Sequence, residues 1–291
     1  MLGVKASDDF RRTLADHSDA VVLLLGFGFD EREALARPEA PAKGARPTTA
    51  PIFACAPVAA SLSELRRLAA EHPAWLARLR RAPTLSASPG GSAAVASLEA
   101  FGRVRSVDLA ERAAPADAPL SALLIDAMEF IARTLGEPES IDASLSGIDA
   151  ESGLRLAPGE SLLALSGDLS AHLRYCDGRA AAVSLSDRAS AWFRGATLLG
   201  AGGCIRFDDH SMEWTNATGE ILDESRPAAG VIEGPAGLVA SEVAGQLDGA
   251  RPSAPAVRMQ EAYALAEAAL LSARTGQPES PATIRRMAGD G

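Results

Sequence analysis

Residues 170–187, SAHLRYCDGRAAAVSLSD, set Asp177-Gly178 between two runs that alternate apolar and polar side chains. Asp-Gly readily takes the positive φ angles of a two-residue hairpin turn, so the pair fixes both the chain reversal and the strand register. Leu173 and Tyr175 share one face and His172 and Arg174 the other, which predicts a sheet packed on one side and wetter on the other. Further strand signals lie around it: RVRSVDLAE upstream, then SIDASLSG, LLALSGD, ATLLGAGGCIRF and SMEWTNATGEILDE. Asn216-Ala217-Thr218 fits the glycosylation pattern, but followed by Gly219 it reads better as hairpin turn chemistry.

Helical periodicity frames this strand-rich region. In APLSALLIDAMEFIARTLGEP, residues Leu120, Leu123/Leu124, Met128 and Ile131 recur at helical spacing, and Gly136 stops the run. GLVASEVAGQLDG and PAVRMQEAYALAEAALLSARTG read as two closing helices, the second ending at Gly276. The N-terminal part has a different grammar: a short amphipathic helix capped by Ser7, the apolar strand AVVLLLGFGF from Ala20, and the Pro/Ala-rich loop ARPEAPAKGARPTTAP. The strand IFACA and a helix over 61–71 complete it. Continuous apolar strands belong to parallel sheets buried on both faces, so this part reads as an α/β layer. The small-residue stretch LSASPGGSAAVAS reads as turns, which puts a junction at 82–95 and domains at 1–85 and 86–291.

The 291 residues carry 28 Lys+Arg against 38 Asp+Glu, a formal net charge of −10, which repels phosphate backbones and anionic lipid. Nucleic-acid and membrane-surface binding are therefore not expected. No apolar run reaches the ~18–20 residues of a membrane helix, and the first residues show no signal-peptide core, so a cytoplasmic protein is expected. Cys55, Cys176 and Cys204 form no CxxC pair and the four histidines are scattered, which predicts buried structural thiols and no metal site.

Two motifs invite chemistry. Gly26-Phe27-Gly28 follows an apolar strand, but Glu31 stands where a dinucleotide fingerprint needs its third glycine, and a carboxylate there opposes a pyrophosphate. Asp126 and Glu129 lie one helical turn apart and could do acid/base work; a solvated helix surface is the blander expectation.

Several stretches together resemble the glucose–fructose oxidoreductase/inositol dehydrogenase (Gfo/Idh/MocA) family: SDAVVLLL, IFACAPVAASLSELRRL, GRVRSVDL, LLIDAMEFIARTLGEPESIDASL, GDLSAHLRYCDGRAAAVSLSD, GATLLGAGGCIRFDDHSMEWTNATGEI and ALAEAALLSARTGQP. The resemblance implies a Rossmann-like N-terminal part, here incomplete, followed by an α+β domain with an open-faced, mainly antiparallel sheet. In such proteins the first part binds NAD(P) and the sheet carries the substrate side and oligomer contacts. Against that pattern, about two βα units, roughly sixty residues, with the GxGxxG turn, are expected to be missing ahead of AVVLLL. The family's Glu-Lys-Pro falls on Cys55, Ala56 and Pro57. Its Asp-x-Gly-x-His-x-x-Asp falls on Ala122, Leu124, Asp126 and Glu129, so Asp126 replaces the histidine.

The resemblance with these departures implies a catalytically inactive homologue with no cofactor. Such a chain would act as a structural or regulatory subunit, in a homo-oligomer or with a full-length homologue, through its sheet domain. One alternative is a divergent NAD(P)-dependent sugar or polyol oxidoreductase, or an altered enzyme using Asp126 and Glu129 with Cys55 as a nucleophile of lowered pKa. Another is a sugar-binding module lined by Arg174, His172 and Trp192.

Overall fold

The computed structural model describes residues 22–24, 51–146, 162–227, 234–247 and 258–289. The expected N-terminal helix, most of the AVVLLLGFGF strand and the Gly26-Phe27-Gly28 turn lie outside these residues. Two sheets organise the rest. A parallel three-stranded sheet runs in the order β1 (Val22–Leu24), β2 (Ile52–Ala54), β3 (Leu79–Arg81). Helices α1 (Leu62–Glu71) and α2 (Pro73–Arg78) make the crossover from β2 to β3. Ser61 caps α1, its Oγ accepting from Glu64 N at 3.1 Å, while the Glu64 carboxylate accepts from Ala60 N at 2.6 Å. This reciprocal arrangement is close to a capping box. Leu62, Leu65 and Leu68 are buried at helical spacing.

The second sheet has eight strands: β4 (Val104–Arg112), β5 (Ser140–Ser146), β6 (Asp168–Arg174), β7 (Ala180–Ser186), β8 (Phe193–Gly200), β9 (Gly203–Asp208), β10 (Met212–Thr215) and β11 (Ile221–Ser225). Their spatial order is β11-β10-β9-β8-β4-β7-β6-β5, antiparallel at every pair except β4 with β7. Gly178 turns the β6–β7 hairpin at φ 82° and Gly219 the β10–β11 hairpin at φ 86°, as the sequence predicts. Along β6 every second residue is buried, with Leu173 inside and His172 and Arg174 out.

One face of this sheet is covered. Helix α4 (Leu120–Thr134) lies on β4 and β7, and α6 (Met259–Thr275) lies on α4 and β5. Every residue of α4 from Leu120 to Ala132 is buried, Asp126 and Glu129 included, so this helix is enclosed all round. Its first turn is capped from outside: Asp187, just past β7, accepts from Leu120 N at 3.3 Å. Helix α5 (Pro235–Leu247) and the short α7 (Pro281–Met287) follow the sheet strands in sequence, and α6 ends at Gly276 with φ 66°.

Three local expectations are corrected. The stretch LSASPGGSAAVAS is no run of turns: a 3-10 turn at Leu85–Ala87 leads into helix α3 (Pro89–Phe101), capped by Ser88. Its two glycines report close packing. A Cβ on Gly90 would sit 2.2 Å from Asp208 O and 2.4 Å from Ser211 O, and one on Gly91 would sit 1.8 Å from Leu85 O. LLALSGD holds a 3-10 turn over Leu162–Ala164, and β6 starts only at Asp168. The thiols are less hidden than expected, with Cys55 and Cys204 half-buried and Cys176 exposed.

The opposite face of the eight-stranded sheet carries no helix among the described residues. One cross-strand row on it runs Asp142, His172, Ala182, Asp108, Thr197, Arg206, Glu213, Glu224, and the next runs Ser144, Ser170, Ser184, Ala110, Gly195, Asp208. Small side chains leave two shallow grooves there, of about 670 and 440 Å³. No helix among the described residues is long and apolar enough to cross a membrane.

Candidate functional site

In open α/β sheets, ligands bind at the carboxyl ends of the parallel strands. Here those ends present Cys55-Ala56-Pro57 after β2 and Arg81-Ala82-Pro83-Thr84 at and after β3, facing the first half of α4. Ala56 brings only a methyl group. Cys55 is half-buried, and burial pushes its thiol above the usual range, with the Arg81 charge opposing that rise. This goes against the alternative of an activated Cys55, because the thiolate, not the thiol, is the nucleophile.

The charged groups behind the strand ends form one buried cluster. Arg194, on β8, is its centre, with its side chain 1% exposed. Its Nη1 donates to Asp126 Oδ2 at 2.7 Å and to Pro83 O at 3.0 Å, and its Nη2 donates to Asp209 Oδ1 at 2.7 Å. Trp192 lies 5.0 Å under the guanidinium and donates its indole N–H to Asp209 at 2.8 Å. A single side chain thereby ties β8 to α4, to the turn after β9 and to the loop after β3. Charge-assisted contacts of this kind are worth roughly twice neutral ones.

Asp126 is engaged on both oxygens. Both its oxygens accept from Leu85 N–H, at 3.1 and 3.0 Å, and Oδ2 also takes the Arg194 contact. Burial pushes its pKa up, and Arg194 and then Arg81 pull it back. Glu129 accepts Ser86 Oγ at 2.9 Å and Arg133 Nη2 at 2.6 Å. The two acids are thus neither on a solvated helix surface, as the sequence reading held, nor free to face a cleft; each is 2% exposed. They are buried because α4 turns this side towards the loop after β3 and towards β8.

Arg174 and His172 lie on the uncovered sheet face, whereas Trp192 stacks in the buried cluster, so the structure does not bring the three together. Sequence reasoning missed Arg81, Glu111, Arg194 and Asp209. A signal did exist for two of them. In β4 the buried alternation Val107, Leu109 continues to Glu111, and in β8 Leu198 and Ala196 lead to Arg194. The period-2 pattern therefore places both charges on the packed face. No group of three or more His, Cys, Asp or Glu side chains among the described residues is arranged to hold a metal ion.

No family model matches the sequence, and no curated protein matches it. Solved structures do. A putative myo-inositol dehydrogenase from Sinorhizobium meliloti 1021 superposes with TM-score 0.62 at 16% identity, over 93% of this chain and 84% of that one. Levoglucosan dehydrogenase, solved with NADH and levoglucosan, gives 0.67 at 14% identity over 94% and 83%. An oxidoreductase from Agrobacterium radiobacter, in complex with NAD+, L-tartaric acid and magnesium, gives 0.67 at 17% identity over 95% and 84%.

The expectation of no cofactor is overturned by these likenesses, since the fold is one solved repeatedly with a nicotinamide dinucleotide in place. The inference from a missing glycine fingerprint failed because that motif reports only the pyrophosphate segment of a dinucleotide site. One observation at the strand ends fits a polar ligand: Arg81 leaves Nε and Nη1 buried with no hydrogen-bond partner at the end of β3. A parallel layer followed by an eight-stranded, mainly antiparallel sheet, one face of which carries no helix among the described residues, matches the two-domain fold of the Gfo/Idh/MocA-type oxidoreductases.

Proposed function

We propose that this chain binds NAD(H) or NADP(H) at the ends of β1 to β3 and serves as a non-catalytic subunit that assembles through its uncovered sheet face. The observation that carries the reading is Asp126. Hydride transfer from a carbinol carbon needs a group that takes the hydroxyl proton, and the side chains at the corresponding positions here are Ala56, with none to offer, and Asp126, held by Leu85 N–H and Arg194. Loss of a positioned acid/base costs about 10²–10⁴-fold in rate. When bound, the dinucleotide supplies a hydride acceptor or donor. The chain's own part is binding and orientation: the Cys55-Ala56 strand end gives a close, uncharged approach and Arg81 a polar contact. Assembly is supported by the small-residue row Ser144, Ser170, Ser184, Ala110, Gly195 of the open face and by Phe193 and Leu199 on it, 47% and 44% exposed.

Calorimetry with NADH and NADPH, together with absorbance assays on myo-inositol, levoglucosan and L-tartrate, tests both halves. Micromolar dinucleotide binding is expected, with turnover at least about 10²-fold below the ~10 s⁻¹ typical of enzymes. Turnover near that typical value would remove the non-catalytic reading, and no binding at millimolar dinucleotide would remove the cofactor.

A further inference from the structure

Strand β8 runs through the middle of the uncovered sheet face and presents to it, in alternation, Phe193, Gly195, Thr197 and Leu199. The outer two are large, apolar and exposed, and the inner two are small. The strands on either side carry opposite charges at one level: Thr197 has Asp108 of β4 as its register partner on one side and Arg206 of β9 on the other. Both charged residues are exposed, and neither side chain is engaged in a hydrogen bond or ion pair among the described residues. That holds even though Glu213 of β10 lies beside Arg206 in the ladder. Asp108 and Arg206, with Phe193 and Gly195, line the groove of about 670 Å³ on this face.

A strip with an apolar centre, a negative flank and a positive flank is complementary to itself. Turned over by a two-fold axis along β8, it lays Phe193 on Phe193 and Leu199 on Leu199, and each Arg206 comes opposite an Asp108. Packed sheets stand ~10 Å apart, a gap that a long arginine and a short aspartate span together. A uniformly basic or acidic partner would match one flank and repel the other, whereas a closed two-fold contact uses both.

We propose that the occupant of the uncovered face is a second copy of this chain, seated by a two-fold axis along β8 so that Arg206 of each copy pairs with Asp108 of the partner subunit. The proposal rests on the reading of this face as the assembly surface and adds which protein covers it and in which register. It involves neither dinucleotide nor turnover, so its test is independent of the cofactor.

Sedimentation equilibrium on the full chain reads the dimer Kd, and native mass spectrometry identifies mixed dimers by mass. Arg206→Asp and Asp108→Arg are each expected to raise the Kd at least about tenfold, because like charges then face each other at both symmetry-related contacts. Mixing these two variants should bring back the wild-type Kd as a mixed dimer, in which both contacts again join opposite charges; recovery also shows that both variants fold. Arg206→Asp mixed with Glu213→Arg, which puts the new cation one strand away on β10, should give no such mixed dimer. Phe193→Ser should weaken the dimer whatever it is mixed with. Wild type sedimenting as a monomer at micromolar concentration would hand the face to a different occupant and overturn both the proposal and the assembly reading. A dimer whose Kd ignores both charge reversals, or mixed dimers that form equally well with Glu213→Arg, would overturn the proposal and leave the assembly reading in place.

Discussion

Glu111 and Arg194 are register partners across the β4–β8 pair, both on the packed face, yet no hydrogen bond reaches either Glu111 oxygen. Arg194 is turned to Asp126 and Asp209 instead. Three buried acids, Asp126, Asp209 and Glu111, thus crowd Arg194 and Arg81, and Glu111 is the one left without a hydrogen bond. Burial, with Asp126 and Asp209 adding to it, raises the Glu111 pKa well above the usual carboxylate range.

A carboxyl whose folded pKa is raised contributes stability that is fully present below its unfolded value of ~4.3 and is lost as pH rises through the folded value. Urea unfolding of wild type should therefore show stability falling from mildly acidic towards alkaline pH. Glu111→Gln, which keeps the shape and cannot ionise, should flatten that fall, its advantage over wild type growing with pH. Parallel pH profiles for the two proteins would place an ionised Glu111 in the core.

Arg194→Met leaves Asp126 and Asp209 buried and facing each other without their cation. Removing one side of a buried ion pair costs about 3–5 kcal/mol, and that loss is expected in denaturant unfolding. The double variant Arg194→Met/Asp126→Asn should recover part of it, because the same charge is then missing from both sides.

Gly90 needs the absence of a side chain and not an unusual backbone angle. Gly90→Ala would push a methyl against two backbone carbonyls of the β9–β10 turn, with an expected cost of about 1–3 kcal/mol for overpacking. Ser88→Ala, which removes the cap of α3, is expected to cost about 1 kcal/mol. Thermal unfolding ranks the two.

Thiol reactivity should order the cysteines by exposure. At pH 7, Cys176, exposed in the β6–β7 turn, is expected to react with a disulfide reagent before Cys55, whose thiol burial holds up. Peptide mapping after timed alkylation reads the order, and a faster Cys55 would restore a nucleophilic site at the end of β2.

The assembly reading has its own lever. Ala182 lies on the uncovered face in the row between His172 and Asp108, and Ala182→Arg should shift native mass spectra towards monomer without lowering Tm. An unchanged stoichiometry would exclude that face as the contact.

Much of this architecture was legible in the sequence because local signals carried it. Asp177-Gly178 and Gly219 marked their hairpins, and Gly136 and Gly276 the ends of α4 and α6. Helix α3 was not legible, because Gly90 and Gly91 answer to neighbours far away in sequence and look locally like a turn. The strand Leu79–Arg81 escaped for a similar reason: three residues, two of them arginine, show no pattern until β2 lies beside them. The candidate site was half legible. Position along the chain singled out Ala56, Asp126 and Glu129, but whether an acid faces a cleft or an arginine depends on which strand lies opposite. Nothing near Asp126 in sequence names Arg194.

The parallel pairing of β4 with β7 bears on how the chain comes to be folded at all. β4 sits between β7 and β8, with Val107 beside Ala181 and Leu109 beside Ala196. During synthesis the ribosome must release α4, β5, β6 and the β6–β7 turn before either edge of β4 finds a hydrogen-bonding partner. Such distant closure is slow and leaves apolar strand edges open to misassociation. An inner strand of the mature sheet is thus the one of its eight that waits longest for a partner in the nascent chain.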